Sequence, residues 1–367
     1  MTSNNNAGLK VILSGGGTLG SVVPLLAIAE MVKEKYPEVK FVWVGTKMGP
    51  EMELVAEQKI SFAAITSGKL RRYFSLWNFV DIVKIIAAFF QSLIILRREK
   101  PQLLISAGGF VSVPLHWAGA VLNIPQWIHQ QDVVPGLSNQ LMAPFANIIT
   151  VALQKSLNDF PKRRTLWLGN PVRAAILGAG KAQAMEHFKL KPDLPVVLAT
   201  GGGTGSARVN QIIAESVQHL EGVCQIIHLV GRERPADMAE HAAELFADYH
   251  VYKFFTGEMK LAYAAADLII SRGGFGTLTD MAALHKAGII IPKPDHQEEN
   301  VKFLAHENAI EILNEAMIDG LKLAQVIKDL VASPEKLTVL GNRLSAILPP
   351  AKKENVLGVF EQLTINN

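Results

Sequence analysis

Apolar positions along this chain follow two alternating rhythms. Short, nearly unbroken apolar runs at Leu9–Ser14, Phe41–Val44, Leu103–Ser106 and Gln126–His129 read as buried strands, and Val196–Thr200, Gln225–Val230, Leu268–Ser271 and Ile289–Ile291 repeat the pattern in the second half. Between them lie segments with apolar residues at helical spacing, such as Val22, Leu25, Leu26, Ala29 and Val32 between about Ser21 and Lys35. Strands alternating with helices predict parallel sheets covered on both faces, because a parallel connection needs a crossover. Two stretches open alike. Leu9–Ser14 runs into Gly15-Gly16-Gly17-Thr18-Leu19-Gly20 and a helix, and Val196–Thr200 runs into Gly201-Gly202-Gly203-Thr204-Gly205-Ser206 and a helix from about Ala207. Strand, glycine turn and helix form the opening of a nucleotide-binding βαβ unit. The expected class is therefore α/β, with two Rossmann-like domains whose parallel sheets face a central cleft. Their expected spans are 8–168 and 169–340, with a hinge at 168–173 and a C-terminal helix at 341–365 completing the first domain.

Composition narrows this without redirecting it. A length of 367 residues suits two domains at roughly 100–200 residues each, and 49% hydrophobic with 19% charged residues excludes disorder. Mean hydropathy is +0.22, which raises membrane contact as a question. The oiliest stretch, Phe79–Leu96, is broken by Asp81, Lys84, Gln91 and Ser92. It leaves an apolar run of about a dozen residues at most, short of the ~20 that a spanning helix needs. The Asn-rich start, 1–8, lacks the pattern of a signal peptide. A net charge of +3 is too mild to predict a nucleic-acid partner. The single cysteine, Cys224, excludes an intrachain disulfide and a cysteine-based zinc site, and fits a reducing cytoplasm.

The glycine turns carry the candidate chemistry. Gly15, Gly17 and Gly20 fit G-x-G-x-x-G, but the next strand ends Val44-Gly45-Thr46 without the carboxylate that a NAD ribose requires, so dinucleotide chemistry is disfavoured. A third turn, Arg272-Gly273-Gly274-Phe275-Gly276, precedes a helix expected to open at Thr277. Free backbone N–H groups and the helix dipole suit such a start to a diphosphate. Thr277-x-x-Asp280 also reads as a capping box, leaving Asp280 either as a cap or as an acceptor for ribose hydroxyls. Glycine turns in both halves point to phosphate or sugar recognition.

Taken together, these pieces resemble the MurG glycosyltransferase family over nearly the whole chain, from about Leu9 to the 340s. The matching segments include Gly16-Gly17-Thr18-x-Gly20, Gly45-Thr46 with Glu51, Gly108-Gly109-Phe110-Val111-Ser112, Gly169-Asn170-Pro171-Val172-Arg173, Gly201-Gly202 with Gly205 and Asn210, Arg272 to Asp280, and His296-Gln297-x-x-Asn300. The resemblance implies a GT-B fold and transfer of N-acetylglucosamine from UDP to a lipid-linked muramyl-pentapeptide, giving lipid II. It implies inversion at the sugar in a single displacement, with no cofactor. No Asp-x-Asp is placed for a metal ion, and helix N-termini with Arg173 would stabilise the leaving group. The donor side would comprise Thr18, Leu19, Gly20, Asp132, Arg173, Gly203, Thr256, the run Phe275, Gly276, Thr277, Leu278, Thr279 and Asp280, and Gln297. Gly15, Gly16, Gly17, Gly108 and Gly109 would frame the acceptor's diphosphate.

The chain also departs from the family pattern. Ser21 stands where the family has a histidine suited to deprotonating the acceptor, and serine needs a partner base to act near neutral pH. Leu19 replaces a glycine, Gly203 a serine, and Asp280 a glutamate. The family's His-Glu-Gln-Asn reads His129-Gln130-Gln131-Asp132. His129 and Asp132 become candidate bases, although His129 equally reads as a buried strand-end histidine. Three interpretations follow: a transferase with another base, a transferase for another sugar or lipid, or a silent relative that binds a nucleotide sugar. The expected partners are a UDP-sugar, a lipid-linked acceptor and an anionic membrane on its cytoplasmic face. Arg71, Arg72, Phe74 and Trp77 would touch the bilayer, each cation adding ~1 kcal/mol. The following helix, with Phe79, Ile82, Val83, Ile86, Phe90 and Leu93, would turn that stripe inward onto the sheet.

Overall fold

A computed structural model describes residues 8–365 except 18, 50, 67, 69–76, 256 and 294–295, and excludes the side chains of 19, 77–80 and 296. The chain divides into two compact units, Met1–Arg173 with Ala351–Asn367, and Ala174–Pro350.

The first unit holds a parallel sheet of β1 (Lys10–Ser14), β2 (Lys40–Thr46), β3 (Ser61–Ile65), β4 (Leu103–Ser106), β5 (Gln126–Gln130), β6 (Ile148–Val151) and β7 (Thr165–Trp167). Its order is β3-β2-β1-β4-β5-β6-β7. The crossovers include α1 (Val23–Lys35), α2 (Glu51–Glu57), α3 (Trp77–Glu99), α4 (Ser112–Val121) and α5 (Leu137–Met142). Side chains alternate across the central strand, as the two-residue period of a strand demands. Val11 and Leu13 join the core layer under α1, whereas Ile12 joins the layer under α3 and α4. The strand order reverses between β1 and β4, and ligands of open α/β sheets bind outside the carboxyl ends of strands at such a point. The two turns found there are Gly15–Gly17 and Gly108–Gly109.

The second unit repeats the design with β8 (Val196–Thr200), β9 (Gln225–Leu229), β10 (Tyr249–Tyr252), β11 (Leu268–Ser271), β12 (Ala287–Ile290) and β13 (Glu311–Ile312), ordered β10-β9-β8-β11-β12-β13. Its helices are α6 (Lys181–His187), α7 (Ala207–Val217), α8 (Asp237–Leu245), α9 (Met259–Ala265), α10 (Phe275–Ala283), α11 (His296–His306), α12 (Gly320–Val331) and α13 (Pro334–Ile347). Here the order reverses between β8 and β11, at the turns following Thr200 and Ser271.

The structure corrects two expectations. The single C-terminal helix expected at 341–365 is two helices, parted at Pro349-Pro350 because proline cannot continue the backbone ladder. Of these, α13 packs on α10 and β12 in the second unit. Only α14 (Lys353–Thr364) belongs to the first unit, where Glu361 accepts from Lys35 Nζ and Tyr36 Oη, each at 2.7 Å. The second correction concerns α3, whose stripe of Phe79, Ile82, Val83, Ile86, Phe90 and Leu93 is expected to pack inward; the Phe79 side chain lies outside the described residues, and Leu93 is buried as expected. Ile82, Val83, Ile86, Phe90 and Ile94 are instead exposed, while Ala88, Ser92, Leu93 and Leu96 are buried. The helix is apolar on both faces, so its pattern could not choose the packed one. Small Ala88 and Ser92 allow close approach, and the Ser92 hydroxyl is satisfied by the Ala88 carbonyl at 2.7 Å.

Candidate active site

In the first unit the two glycine turns touch. A Cβ built on Gly109, whose φ is +96°, would stand 2.9 Å from the Gly16 carbonyl oxygen, so only glycine fits there. A Cβ on Gly15 would meet the Ser21 carbonyl at 2.9 Å and its hydroxyl at 3.3 Å. The predicted acceptor glycines and Ser21 thus form one cluster. Two residues fix it from behind. Trp43 Nε1 donates to the Gly15 carbonyl at 3.1 Å. The fully buried Glu51 accepts from Thr46 N at 2.8 Å, Thr46 Oγ1 at 2.5 Å and Gly17 N at 3.3 Å. The sequence singled out Glu51 only as part of a match; its role as the acceptor organising this loop comes from the fold.

A cavity of about 440 Å³ opens beside Gly17 and is lined in part by Thr46, Lys47, Ile65, Thr66, Lys84 and Phe110. No carboxylate is among its described lining residues. Lys84 pairs at 3.6 Å with the buried Asp81. Thr66 Oγ1 accepts from Gln91 Nε2 at 3.0 Å and keeps its own proton to donate. Hydrogen-bond donors therefore dominate the polar lining, which suits an anion beside apolar material.

His129 occupies the end of β5 with no exposed surface. Its Nδ1 lies 2.9 Å from Thr150 Oγ1 and its Nε2 2.8 Å from Asn170 Oδ1. Burial pushes its pKa down to about 4. Both ring nitrogens are engaged within the unit, so this geometry gives His129 no nitrogen for substrate. Gln130 is satisfied as an amide: Nε2 donates to the Asp132 carbonyl at 2.8 Å, and Oε1 accepts from Asn139 Nδ2 at 2.6 Å. An ionised glutamate could not make the first bond. Asp132 is exposed on the following loop, which Gln131 ties to the Gly20 carbonyl at 2.8 Å.

In the second unit, α10 begins at Phe275, with Gly274 at its N-cap and no side-chain cap. The expected start at Thr277 and its capping box are thereby corrected: the helix opens two residues earlier, placing Thr277 and Asp280 inside it. Among the described residues the N-cap offers these amides no side-chain partner, and the helix starts directly after β11, at the β8/β11 switch point. Gly276 has open space beside it, whereas Phe275, Leu278, Thr279 and Asp280 are buried. Asp280 Oδ2 accepts from Tyr263 Oη at 3.2 Å, and Thr279 Oγ1 donates to the Phe275 carbonyl at 2.8 Å. Gln297 comes close, its Nε2 lying 3.9 Å from a Cβ built on Gly274. Gly203 is exposed, and its carbonyl accepts from Arg232 N at 3.2 Å. Arg173, the last residue of the first unit, has a buried Nε without a hydrogen-bond partner among the described residues.

One clamp was missed in the sequence. Arg272 makes a bidentate pair with Glu315, at 2.6 and 3.0 Å, and Nη2 donates to Ser206 Oγ at 2.5 Å. Ser206 is the N-cap of α7, so Arg272 joins the turns after β8 and β11. The Arg272 guanidinium holds the Glu315 carboxyl below its ordinary range. Forty-three residues separate the partners, beyond any local pattern. Thr18, Thr256, Arg71, Arg72 and Phe74 lie outside the described residues, as do the side chains of Leu19 and Trp77. Among the described residues no three His, Cys, Asp or Glu side chains gather as a metal site. No helix there is long and apolar enough to cross a membrane.

The comparisons cover both units. The glycosyltransferase family 28 N-terminal domain matches residues 11–151, and the family 28 C-terminal domain matches 196–346. A relative from Desulforamulus reducens is 31% identical, covering 97% of this chain and 99% of that protein. One from Christiangramia forsetii is 34% identical, covering 84% and 85%. Both are named UDP-N-acetylglucosamine–N-acetylmuramyl-(pentapeptide) pyrophosphoryl-undecaprenol N-acetylglucosamine transferase. Among solved structures, MurG of Acinetobacter baumannii superposes with a TM-score of 0.73 at 26% identity, covering 96% of this chain and 99% of that one. A UDP-GlcNAc 2-epimerase from Neisseria meningitidis, at 14% identity and a TM-score of 0.66, shares the fold alone.

Proposed function

Because the chain belongs to glycosyltransferase family 28, we propose that it transfers N-acetylglucosamine from UDP-N-acetylglucosamine to undecaprenyl-pyrophosphoryl-N-acetylmuramyl-pentapeptide, yielding lipid II for peptidoglycan. The observation that carries this reading is the alignment of relatives named for that reaction over 84% and 97% of the chain. The two switch points supply matching chemistry. Uncapped amides at the start of α10 would hold the donor diphosphate, and Gln297 would contact the sugar hydroxyls. Asp280 would reach the ribose, and Gly203 and Thr256 would border the nucleotide. The acceptor's diphosphate would lie at the Gly15–Gly17 and Gly108–Gly109 turns, with Lys47 and Lys84 of the adjoining cavity.

In the transfer, an acceptor hydroxyl oxygen bonds to the anomeric carbon as the bond from that carbon to the UDP oxygen breaks, inverting configuration. Charge growing on UDP meets the α10 amides and Arg173. The hydroxyl proton needs an acceptor. Ser21 lacks the basicity, and both His129 nitrogens are engaged. Asp132, on the loop that Gln131 ties to the Gly20 turn, is the proposed base. A second reading, a nucleotide-sugar-binding relative of impaired activity, is favoured by Ser21 itself.

The membrane side is assigned to the exposed α3 stripe of Ile82, Ile86, Phe90 and Ile94, followed by exposed Arg97 and Arg98. Four residues apart, these side chains share one face. Together with Arg71, Arg72, Phe74 and Trp77 they would seat the protein on the anionic cytoplasmic face of the membrane.

Labelled UDP-N-acetylglucosamine with a lipid I analogue tests the reading. Product that is lost in Asp132→Asn supports it. UDP-sugar binding without product overturns it in favour of the second reading, and Ser21→His would then restore transfer to a competent scaffold.

A further inference from the structure

A directed chain of hydrogen bonds runs through the interior of the first unit. Trp127 Nε1 donates to Thr150 Oγ1 at 2.8 Å, and Thr150 Oγ1 lies 2.9 Å from His129 Nδ1. His129 Nε2 lies 2.8 Å from Asn170 Oδ1, and Asn170 Nδ2 donates to Gln131 Oε1 at 3.5 Å, the longest link. Gln131 Nε2 then donates to the Gly20 carbonyl at 2.8 Å. All five side chains are buried.

The last member sets the direction. The Gly20 carbonyl can only accept, so Gln131 turns Nε2 to it and offers Oε1 to Asn170 Nδ2. Asn170 Oδ1 then accepts from His129 Nε2, which carries the proton of the neutral ring, and Nδ1 accepts from the Thr150 hydroxyl. Thr150 Oγ1 in turn accepts from Trp127 Nε1, an indole N–H that can only donate. The Asn170 carbonyl also accepts from Ala351 N at 2.8 Å. One residue therefore holds the segment by which the chain leaves this unit and the segment by which it returns.

We propose that Gln131 and Asn170, the latter oriented by His129, are positioning residues which fix the Gly20–Ser21 turn to the two connecting segments. The turn's part in transfer rests on the proposed function; the mechanical link rests on the hydrogen bonds alone. A satisfied polar network in a low-dielectric interior acts as a unit, so a break at one end loosens the other.

Amide hydrogen exchange on the full chain without substrate tests the link. Thr150→Val is the diagnostic variant, because Thr150 belongs to the far end of the chain; Thr150→Ser keeps the hydroxyl, and Gln131→Met removes the last bond. Thr150→Val and Gln131→Met should each speed exchange at 19–23 by about 10-fold, with Thr150→Ser like the parent and β1 and β4 within about 2-fold. Acceleration spread evenly over the first unit, or an unchanged turn in Gln131→Met, overturns the proposal. Where transfer is measurable, Gln131→Met should lower kcat by about 10-fold and leave the UDP-sugar KM within about 2-fold; a change confined to that KM overturns it. If the parent protein makes no product, the proposed function fails while the exchange experiment still decides the link.

Discussion

Substituting Gly16 by alanine should damage the first unit through one residue, Glu51. The added Cβ would stand 2.8 Å from Glu51 Cδ and closer still to Oε1. Glu51 has no exposed surface, and its oxygens are committed to Thr46 N, Thr46 Oγ1 and Gly17 N, so it cannot swing away without breaking those bonds. Gly17 is exposed and can turn to water, whereas Thr46 is buried and loses a partner for both its donors. At about 1–3 kcal/mol for each of these two buried groups left unpaired, the loss is about 2–6 kcal/mol. Glu51→Ala removes the same bonds and should cost about the same. The double variant has no carboxylate for the methyl to displace, so its loss should match that of one single variant, about 2–6 kcal/mol, well below the sum of the singles. Urea unfolding followed by tryptophan emission gives a clean reading, because all five tryptophans precede Arg173 and so report the first unit alone. With a slope of about 2 kcal/mol per molar urea, each single variant should move the midpoint down by about 1–3 M. Additivity within about 0.5 kcal/mol, or a neutral Gly16→Ala, would refute the account of Glu51 as the loop's organiser.

Acid should weaken the first unit through two buried histidines. His116 and His129 are each lowered from 6.5 to about 4 by burial, so the unfolded chain binds more protons between those values. Stability is full above about pH 6.5 and falls as pH drops toward about 4, by about 3 kcal/mol per histidine; a flat tryptophan-monitored midpoint across that window would contradict this. Arg272→Lys should forfeit the bidentate pair with Glu315 and raise the UDP-sugar Kd by about 10-fold, measured calorimetrically, with unchanged affinity counting against the clamp. The Cys224 thiol, pushed up to about 12 chiefly by burial, should resist alkylation in the native protein and react at once in urea. Phe90→Glu should abolish co-sedimentation with anionic vesicles at unchanged stability, since Phe90 is 59% exposed; retained binding would remove α3 from the membrane surface.

Much of the architecture was legible because glycine turns after apolar runs sit where strand order reverses, a relation that survives without knowledge of side-chain contacts. Features depending on distant partners were not. His129 reads from sequence as a base or as a core residue, and Asn170, 41 positions away, decides the matter. The packed face of α3 is not legible in the sequence because apolar residues lie on both faces, exposed at Ile82, Val83, Ile86 and Phe90 and buried at Leu93 and Leu96. Thr277-x-x-Asp280 satisfied a capping pattern inside a helix that had already begun at Phe275, since the pattern tests residue types and not backbone angles. Pro349-Pro350 is a local signal, since proline cannot continue a helix, and it marks the break between α13 and α14.

The return of α14 to the first unit has a consequence for synthesis. A ribosome delivers β1 to β7 early, but the partner of Lys35 and Tyr36 is Glu361, more than 300 positions later. The stretch 174–350 is contiguous and can finish folding while the opening half still lacks a helix over α1. The part translated first is thus the part completed last, and for that interval the apolar face of α1 that meets Phe360 stays uncovered.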